Sequence, residues 1–193
     1  MIRTLLFAVL SATAAFHTFG SQHLLAGARH LIGSHAPVHQ DAGNAFRVEK
    51  VLDGDTVILR GSSQRIRLAN IDAPEMSHGY GRPGQPFAVQ ATKWMQHAVE
   101  GKDVTLRCPD EDRYGRRVCV LLLNGQDVNK ELVRQGLAWA NTANPRYLRD
   151  KSVLEAQREA QREHRGLWAH GQPTPPWLWR HECWEKRACA APL

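Results

Sequence analysis

The sequence predicts an α+β fold: a small five-stranded barrel accompanied by three helices. Three observations carry this. Strand-length runs are separated by short Asp-Gly, Gly-Ser and Asn-Gly turns, one helix-length segment lies between the third and fourth runs, and two more follow the fifth. Residues 46–51 have strand character. Asp53-Gly54 is a hairpin turn signal, and residues 56–59 form the second strand. After Gly61-Ser62-Ser63, residues 64–71 read as the third strand, with Arg65, Arg67 and Ala69 on one face and Ile66 and Leu68 on the other. A Pro/Gly-rich loop over 74–86 leads into a helix over 87–99. Its apolar positions are Phe87, Val89, Trp94, Met95 and Val99, and Gly101 ends it. Residues 104–108 and 118–123 make the last two strands, the second closed by Asn124-Gly125. Residues 128–135 read as a short helix with Leu132 and Val133 inward and Gly136 after its end. Residues 152–164 form a charged helix in which Glu155, Arg158, Glu159 and Arg162 pair at three- and four-residue spacing. Gly166 caps it, and Leu167-Trp168 turn back onto the core. Five strands with a helix between the third and fourth fit a Greek-key barrel of the OB type.

At 193 residues the chain suits one domain with extensions. Residues 1–20 read as a signal peptide or membrane anchor, 21–44 as a linker, 45–170 as the folded domain and 171–193 as a Pro/Trp/Cys-containing tail. Arg3 precedes an apolar run that ends near the small-residue site Ala12-Thr13-Ala14, the layout of a secretory leader. The run is short against the roughly 20 apolar residues of a membrane span. The chain is therefore expected to be secreted or periplasmic, with membrane attachment only through an uncleaved N-terminus. Four cysteines suit an oxidising compartment. Cys108 and Cys119 flank a hairpin loop, and Cys183 and Cys189 can close a small loop in the tail. A zinc site and free thiols are the competing readings, the former lacking the usual ligand spacing.

The net charge is +6, the pI is about 9.5, and arginine outnumbers lysine. That balance favours an anionic partner, and arginine's planar fork matches phosphate oxygens two at a time. Two clusters supply acids near strand ends: Asp53-Gly54-Asp55-Thr56 and Asp72-Ala73-Pro74-Glu75. Alone, the first is a common structural turn. Together, Asp55 and Asp72 on one end of the barrel, with the Ala73 carbonyl, form an all-oxygen set suited to calcium and tolerant of magnesium or manganese. Pro74 stiffens the turn and points Glu75 toward the same place. Arg67 feeds this turn and Arg116 lies in a later loop, so with a metal they would make a phosphate clamp. Arg113 and Tyr114 can touch a nucleotide by charge and stacking.

These segments resemble the staphylococcal nuclease, or thermonuclease, family over roughly residues 46–168. The resemblance rests on Val51-Leu52-Asp53-Gly54-Asp55-Thr56, on Arg67 five residues before Asp72-Ala73-Pro74-Glu75, on Asp112-Arg113-Tyr114-Gly115-Arg116, and on the run from Val128 through Gly136 to Ala138, all in the family's order. It implies a five-stranded OB barrel with three helices and calcium-dependent cleavage of DNA and RNA leaving 3′-phosphate ends. The implied calcium ligands are Asp55, Asp72 and the Ala73 carbonyl. Glu75 would place the attacking water, and Arg67 and Arg116 would grip the phosphate, with Arg116 easing departure of the 5′ oxygen. Asp53 would support the acidic turn from behind. The sequence departs from the family where tyrosines that seat the base follow the Gly-x-Ala segment: here it reads Trp139-Ala140-Asn141-Thr142-Ala143-Asn144. The loop before Tyr114 is shorter, and the cysteines and the Pro175-Pro176-Trp177 tail are additional.

Of the ten histidines, the half before Gln40 are scattered without ligand spacing and the rest include His78 and His97, near the acidic loop and the first helix; the six tryptophans read mostly as core or tail anchors. The expected activity is that of a metal-dependent endonuclease on DNA or RNA, acting as a monomer with no obligate protein partner. The alternatives are a noncatalytic OB module that binds nucleic acid or protein, and an envelope-tethered structural or scavenging protein.

Overall fold

The computed structural model describes residues 44–189. The expected leader (1–20) and nearly all of the expected linker (21–44) lie outside the described residues. In chain order the elements are β1 (Ala45–Asp53), β2 (Thr56–Leu59), β3 (Arg65–Leu68), β4 (Ile71–Asp72), α1 (Ala88–Val99), β5 (Asp103–Glu111), β6 (Arg117–Leu123), β7 (Gln126–Asp127), α2 (Val128–Arg134), β8 (Trp139–Ala140), α3 (Ser152–Arg162) and α4 (Pro176–Trp179).

Strands β3, β2, β1, β5 and β6 hydrogen-bond in that order. A parallel pairing of β3 with β6, with Arg67 opposite Val118 and Leu68 opposite Cys119, closes them into a five-stranded barrel. This is the α+β barrel that the sequence predicts. Closure removes the exposed edges that open sheets must otherwise protect. Register shifts in β1 at Val48/Lys50 and Val51/Asp53 mark irregularities of the bulge type, which help so few strands coil tightly. Alternation fills the interior: Val104, Leu106 and Cys108 of β5 point inward, joined by Val48, Val57, Ile66, Leu68 and Leu121. Met95 and Val99 of α1 and Leu132 and Val133 of α2 belong to the same cluster. Each such fully buried aliphatic contributes about 1.5–3 kcal/mol of burial free energy. A disulfide between Cys108 and Cys119 ties β5 to β6.

A smaller cluster places Trp139, Ala160, Leu167 and Trp168 together, with Phe87 and Trp177 against them. Leu167 and Trp168 thus turn back onto the core, as the sequence predicts.

The third strand is shorter than the expected run over 64–71. It breaks after Leu68, and Ile71–Asp72 pairs instead with Trp139–Ala140. Asn70 makes the break: its φ is 67°, a region that asparagine tolerates better than most residues, and its Oδ1 accepts from the N–H groups of Arg149 and Asp150 at 2.8 and 3.0 Å. Asn129 secures the same region from α2. Its Oδ1 accepts from Leu121 N–H at 3.2 Å, and its Nδ2 donates to Ala69 O and Cys119 O at 3.1 and 3.0 Å.

The C-terminal segment is more ordered in its backbone than a Pro/Trp-rich tail would lead one to expect. Pro176 opens α4 at a first-turn position, where a missing N–H costs nothing. A wider π-type turn continues over Arg180–Glu185, and Cys183 and Cys189 are disulfide-bonded. The Trp179 and Trp184 indole N–H groups both donate to Pro83 O, at 3.3 and 3.0 Å, and Gln85 Nε2 donates to Thr174 O at 2.6 Å. Among the described residues no helix is long and apolar enough to cross a membrane.

Asn129 is buried and serves three backbone groups, so Asn129→Ala leaves all of them without that partner. The expected cost is about 3 kcal/mol of unfolding free energy, read from denaturant unfolding. A change below about 0.5 kcal/mol, the scale of an ordinary surface substitution, would contradict its role as the tie between α2, β6 and the break in β3.

Candidate active site

The site is built where the β1–β2 turn meets the end of β3. Asp53 Oδ1 accepts from Asp55 N–H at 2.9 Å, which fixes the turn. Gly54 lets that turn sit against the next segment, since a Cβ there would lie 2.6 Å from Ala73 Cβ and 3.0 Å from Ala91 Cβ. Asp55 Oδ2 accepts from Ala73 N–H and from Arg67 Nη1, both at 2.7 Å. The other arm of the same guanidinium, Arg67 Nη2, donates to Asp72 Oδ1 at 2.7 Å. One planar fork therefore holds carboxylates from two chain segments. Asp72 is only 1% exposed.

Glu75 follows through Pro74. Its N–H donates to Gln85 Oε1 at 3.2 Å, and its carbonyl accepts from Gln85 N–H at 2.7 Å, which folds the 74–86 loop back on itself. The Glu75 carboxylate accepts from Arg180 Nη1. Arg180 Nη2 donates to Asp72 Oδ2 at 2.9 Å, and Nη1 approaches Asp72 Oδ1 at 3.4 Å. His78 Nε2 stands 4.0 Å from the other Glu75 oxygen.

Burial is the largest influence on Asp55 and pushes its carboxyl well above the ordinary aspartate range. Arg67 pulls it down, Asp53 and Asp72 push it further up, and the Ala73 N–H pulls it down. Glu75 is also raised, again chiefly by burial, against the lowering effect of the Arg180 hydrogen bond and charge. Burial likewise disfavours the charge on Arg180, but Asp72 and Glu75 more than compensate and raise its pKa. These acids are thus clustered and desolvated, an arrangement that favours positive charge nearby.

The β5–β6 loop presents a second group. Asp112 accepts from Tyr114 N–H and Arg116 N–H at 2.9 and 3.0 Å and from Arg116 Nε at 2.7 Å. Burial alone would raise the Asp112 pKa, but these bonds outweigh it and hold the carboxyl below its usual range. Arg113 donates to the Tyr114 hydroxyl at 2.7 Å, and the guanidinium carbons of Arg113 and Arg116 lie 4.9 and 5.7 Å from the Tyr114 ring centroid. Tyr114 is exposed. Gln64 Nε2 donates to Gly115 O at 3.2 Å, anchoring this loop beside the start of β3.

The structure therefore brings Asp53, Asp55, Arg67, Asp72, Ala73 and Glu75 together. Arg113, Tyr114 and Arg116 form a neighbouring loop in which Arg116 is committed to Asp112. Ala73 engages through its N–H. Trp139 is buried edge-on against Trp168, with ring centroids 5.8 Å apart, and so offers no platform for a base. Both cysteine pairs are bridged. Arg180 is the site residue that sequence reasoning missed. Its partners are 105 and 108 residues away, and the only local signal was an arginine between tryptophan anchors and a closely spaced cysteine pair.

The oxygen donors suit a hard divalent cation in kind. Among the described residues no three His, Cys, Asp or Glu side chains form a ready cage. The guanidinium groups of Arg67 and Arg180 instead take up the carboxylate oxygens.

Comparison with known proteins gives the family. Residues 65–170 match the family model described as staphylococcal nuclease homologue. The chain is 43% identical over 138 residues to a protein named uncharacterized endonuclease from Escherichia coli O157:H7, covering 70% of this chain and 84% of that protein. A Haemophilus influenzae protein of the same name is 38% identical over 142 residues, covering 72% of this chain and 74% of the other. Thermonuclease from Staphylococcus hyicus is 30% identical over 129 residues, covering 65% of this chain and 76% of the other. The barrel, its acidic turns and these similarities together make the chain a member of the staphylococcal nuclease homologue family.

Proposed function

We propose that this nuclease is a calcium-dependent endonuclease that hydrolyses phosphodiester bonds of DNA, RNA or both and leaves 3′-phosphate ends. The observation that carries the reading is the single guanidinium of Arg67 shared by Asp55 and Asp72, with Glu75 joined to Asp72 through Arg180. Hard oxygen donors, a carboxylate able to hold water and arginines able to grip phosphate are thereby drawn to one end of the barrel.

Asp55, Asp72 and the Ala73 carbonyl are the residues that would hold the cation. A bound divalent cation would supply Lewis-acid polarisation of a phosphoryl oxygen and neutralise charge. Arg67 binds the phosphate and keeps it beside the acids. Glu75 accepts a hydrogen bond from the attacking water and aims its oxygen at phosphorus. The new P–O bond forms opposite the bond to the 5′ oxygen, which then breaks; the water gives up a proton to solvent and the departing 5′ oxygen takes one up. Arg116, once turned from Asp112 to the substrate, donates to oxygens that gain charge in this step. Tyr114 and Arg113 offer an exposed ring and charge to the adjoining nucleotide.

Two disulfides suit folding outside a reducing cytoplasm. With the leader-like N-terminal sequence they support an exported protein, either released or held at the membrane through that segment.

Glu75→Gln is expected to lower kcat by about 10²–10⁴-fold while calcium binding survives. Wild-type turnover in that variant would remove Glu75 from the reaction. Arg116→Ala is expected to lower kcat by about 10²–10³-fold, the scale of losing a preorganised donor. Products formed in calcium should resist polymerase extension until a phosphatase removes the terminal phosphate. Directly extendable ends would place the break on the other side of phosphorus.

A further inference from the structure

Arg180 lies beyond the family-matched residues 65–170, yet it touches the acidic centre directly. It does not reach the site on a loose tail. Trp179 and Cys183 are buried, Trp184 sets its indole edge-on to His78 with centroids 5.3 Å apart, and the Cys183–Cys189 bridge closes the turn that follows. Gln85 adds a direct coupling. It bonds the Glu75 backbone on one side and Thr174 of the C-terminal segment on the other, so the loop carrying Glu75 and the segment carrying Arg180 share one polar clamp.

The charge balance explains why a guanidinium belongs there. Asp53, Asp55, Asp72 and Glu75 gather four carboxylates, and Arg67 alone leaves them strongly negative. With Arg180 present, one divalent cation would bring the cluster to formal neutrality. Without Arg180, the same loaded cluster would remain negative and repel an entering phosphodiester. Arg180 makes its bonds to Asp72 and Glu75 through Nη1 and Nη2, and its side chain is 36% exposed, so an incoming acceptor can reach it. A fork that fits a carboxylate also fits a phosphate.

We propose that Arg180 is a further substrate-binding residue of the active site: it competes with the divalent cation for Asp72, bonds Glu75, and donates to a non-bridging oxygen of the incoming phosphodiester. This rests on the metal-dependent reading above. Asp72 cannot give both oxygens to Arg180 and also serve a cation fully, so cation binding loosens Arg180 and frees its donors for phosphate.

The test uses two binding measurements that need no turnover: calorimetric titration with calcium alone, and fluorescence anisotropy of a short phosphorothioate single-stranded DNA in calcium. Removing a like charge beside the cation should make Arg180→Gln bind calcium about tenfold or more tightly. The same variant should bind the oligonucleotide about tenfold more weakly, the loss of one charge-assisted contact. If Arg180 is only a structural tie, Arg180→Gln lowers the melting temperature and leaves both affinities at wild-type values, and the assignment falls. Should that variant fail to fold, Arg180→Lys carries the test. It keeps the charge and loses the fork, so oligonucleotide binding should weaken severalfold, and unchanged oligonucleotide affinity would overturn the assignment. A wild-type protein that binds the oligonucleotide but no divalent cation would overturn the metal-dependent reading itself, and this assignment with it.

Discussion

The fork of Arg67 joins the carboxylates of two stretches of chain that the β2–β3 pairing and the Ala73 N–H bond to Asp55 set side by side. Asp55 leaves the β1–β2 turn and Asp72 ends the short strand β4, and both are buried. Buried charges of one sign repel and lose hydration, a cost of several kcal/mol per ion after relaxation. A guanidinium between them turns that repulsion into two hydrogen bonds of 2.7 Å. A lysine would not serve equally, because a point charge lacks the planar pair of donors that spans two carboxylates. The Asn70 break, the close approach at Gly54 and the Asn129 tie all position the two ends of this bridge.

Such a centre is not assembled for stability. Well-packed apolar groups would hold the same space as well or better. On the proposed function, its value lies in desolvated carboxylates that favour a cation and in guanidinium donors held beside them. Around it the structure arranges different degrees of commitment. Arg67 bonds two carboxylates on the barrel, Arg116 is held by Asp112 in an exposed loop, and Arg180 is carried by a segment pinned through two indoles and a glutamine. On the proposed function, the first guanidinium organises the carboxylates and meets the phosphate, and the other two exchange their protein partners for phosphate oxygens, one charge-assisted bond replacing another.

Much of this was legible in the sequence because the signals are local. Asp-Gly between strand runs, Arg67 five residues before Asp72 and Pro74 after Ala73 state their positions within a few residues of each other, and the barrel follows from alternation and turn residues. What stayed hidden depends on distant contacts. The break at Asn70 needs N–H donors from Arg149 and Asp150, 79 and 80 residues later, which no local pattern encodes. The same holds for Arg180. Its tryptophans and cysteines announce a structured end, but nothing near them names Asp72 or Glu75. Trp139 shows the converse: an aromatic in a region associated with base seating is consumed by a small core with Trp168.

On the proposed function, Asp55 and Asp72, gathered by Arg67, meet at one point that accepts a hard cation. Anomalous diffraction from crystals of the protein soaked in manganese should then show a peak within ligand distance of both carboxylates and the Ala73 carbonyl, with Arg180 drawn off Asp72. Manganese bound elsewhere, with the Asp55–Arg67–Asp72 bridge undisturbed, would contradict it.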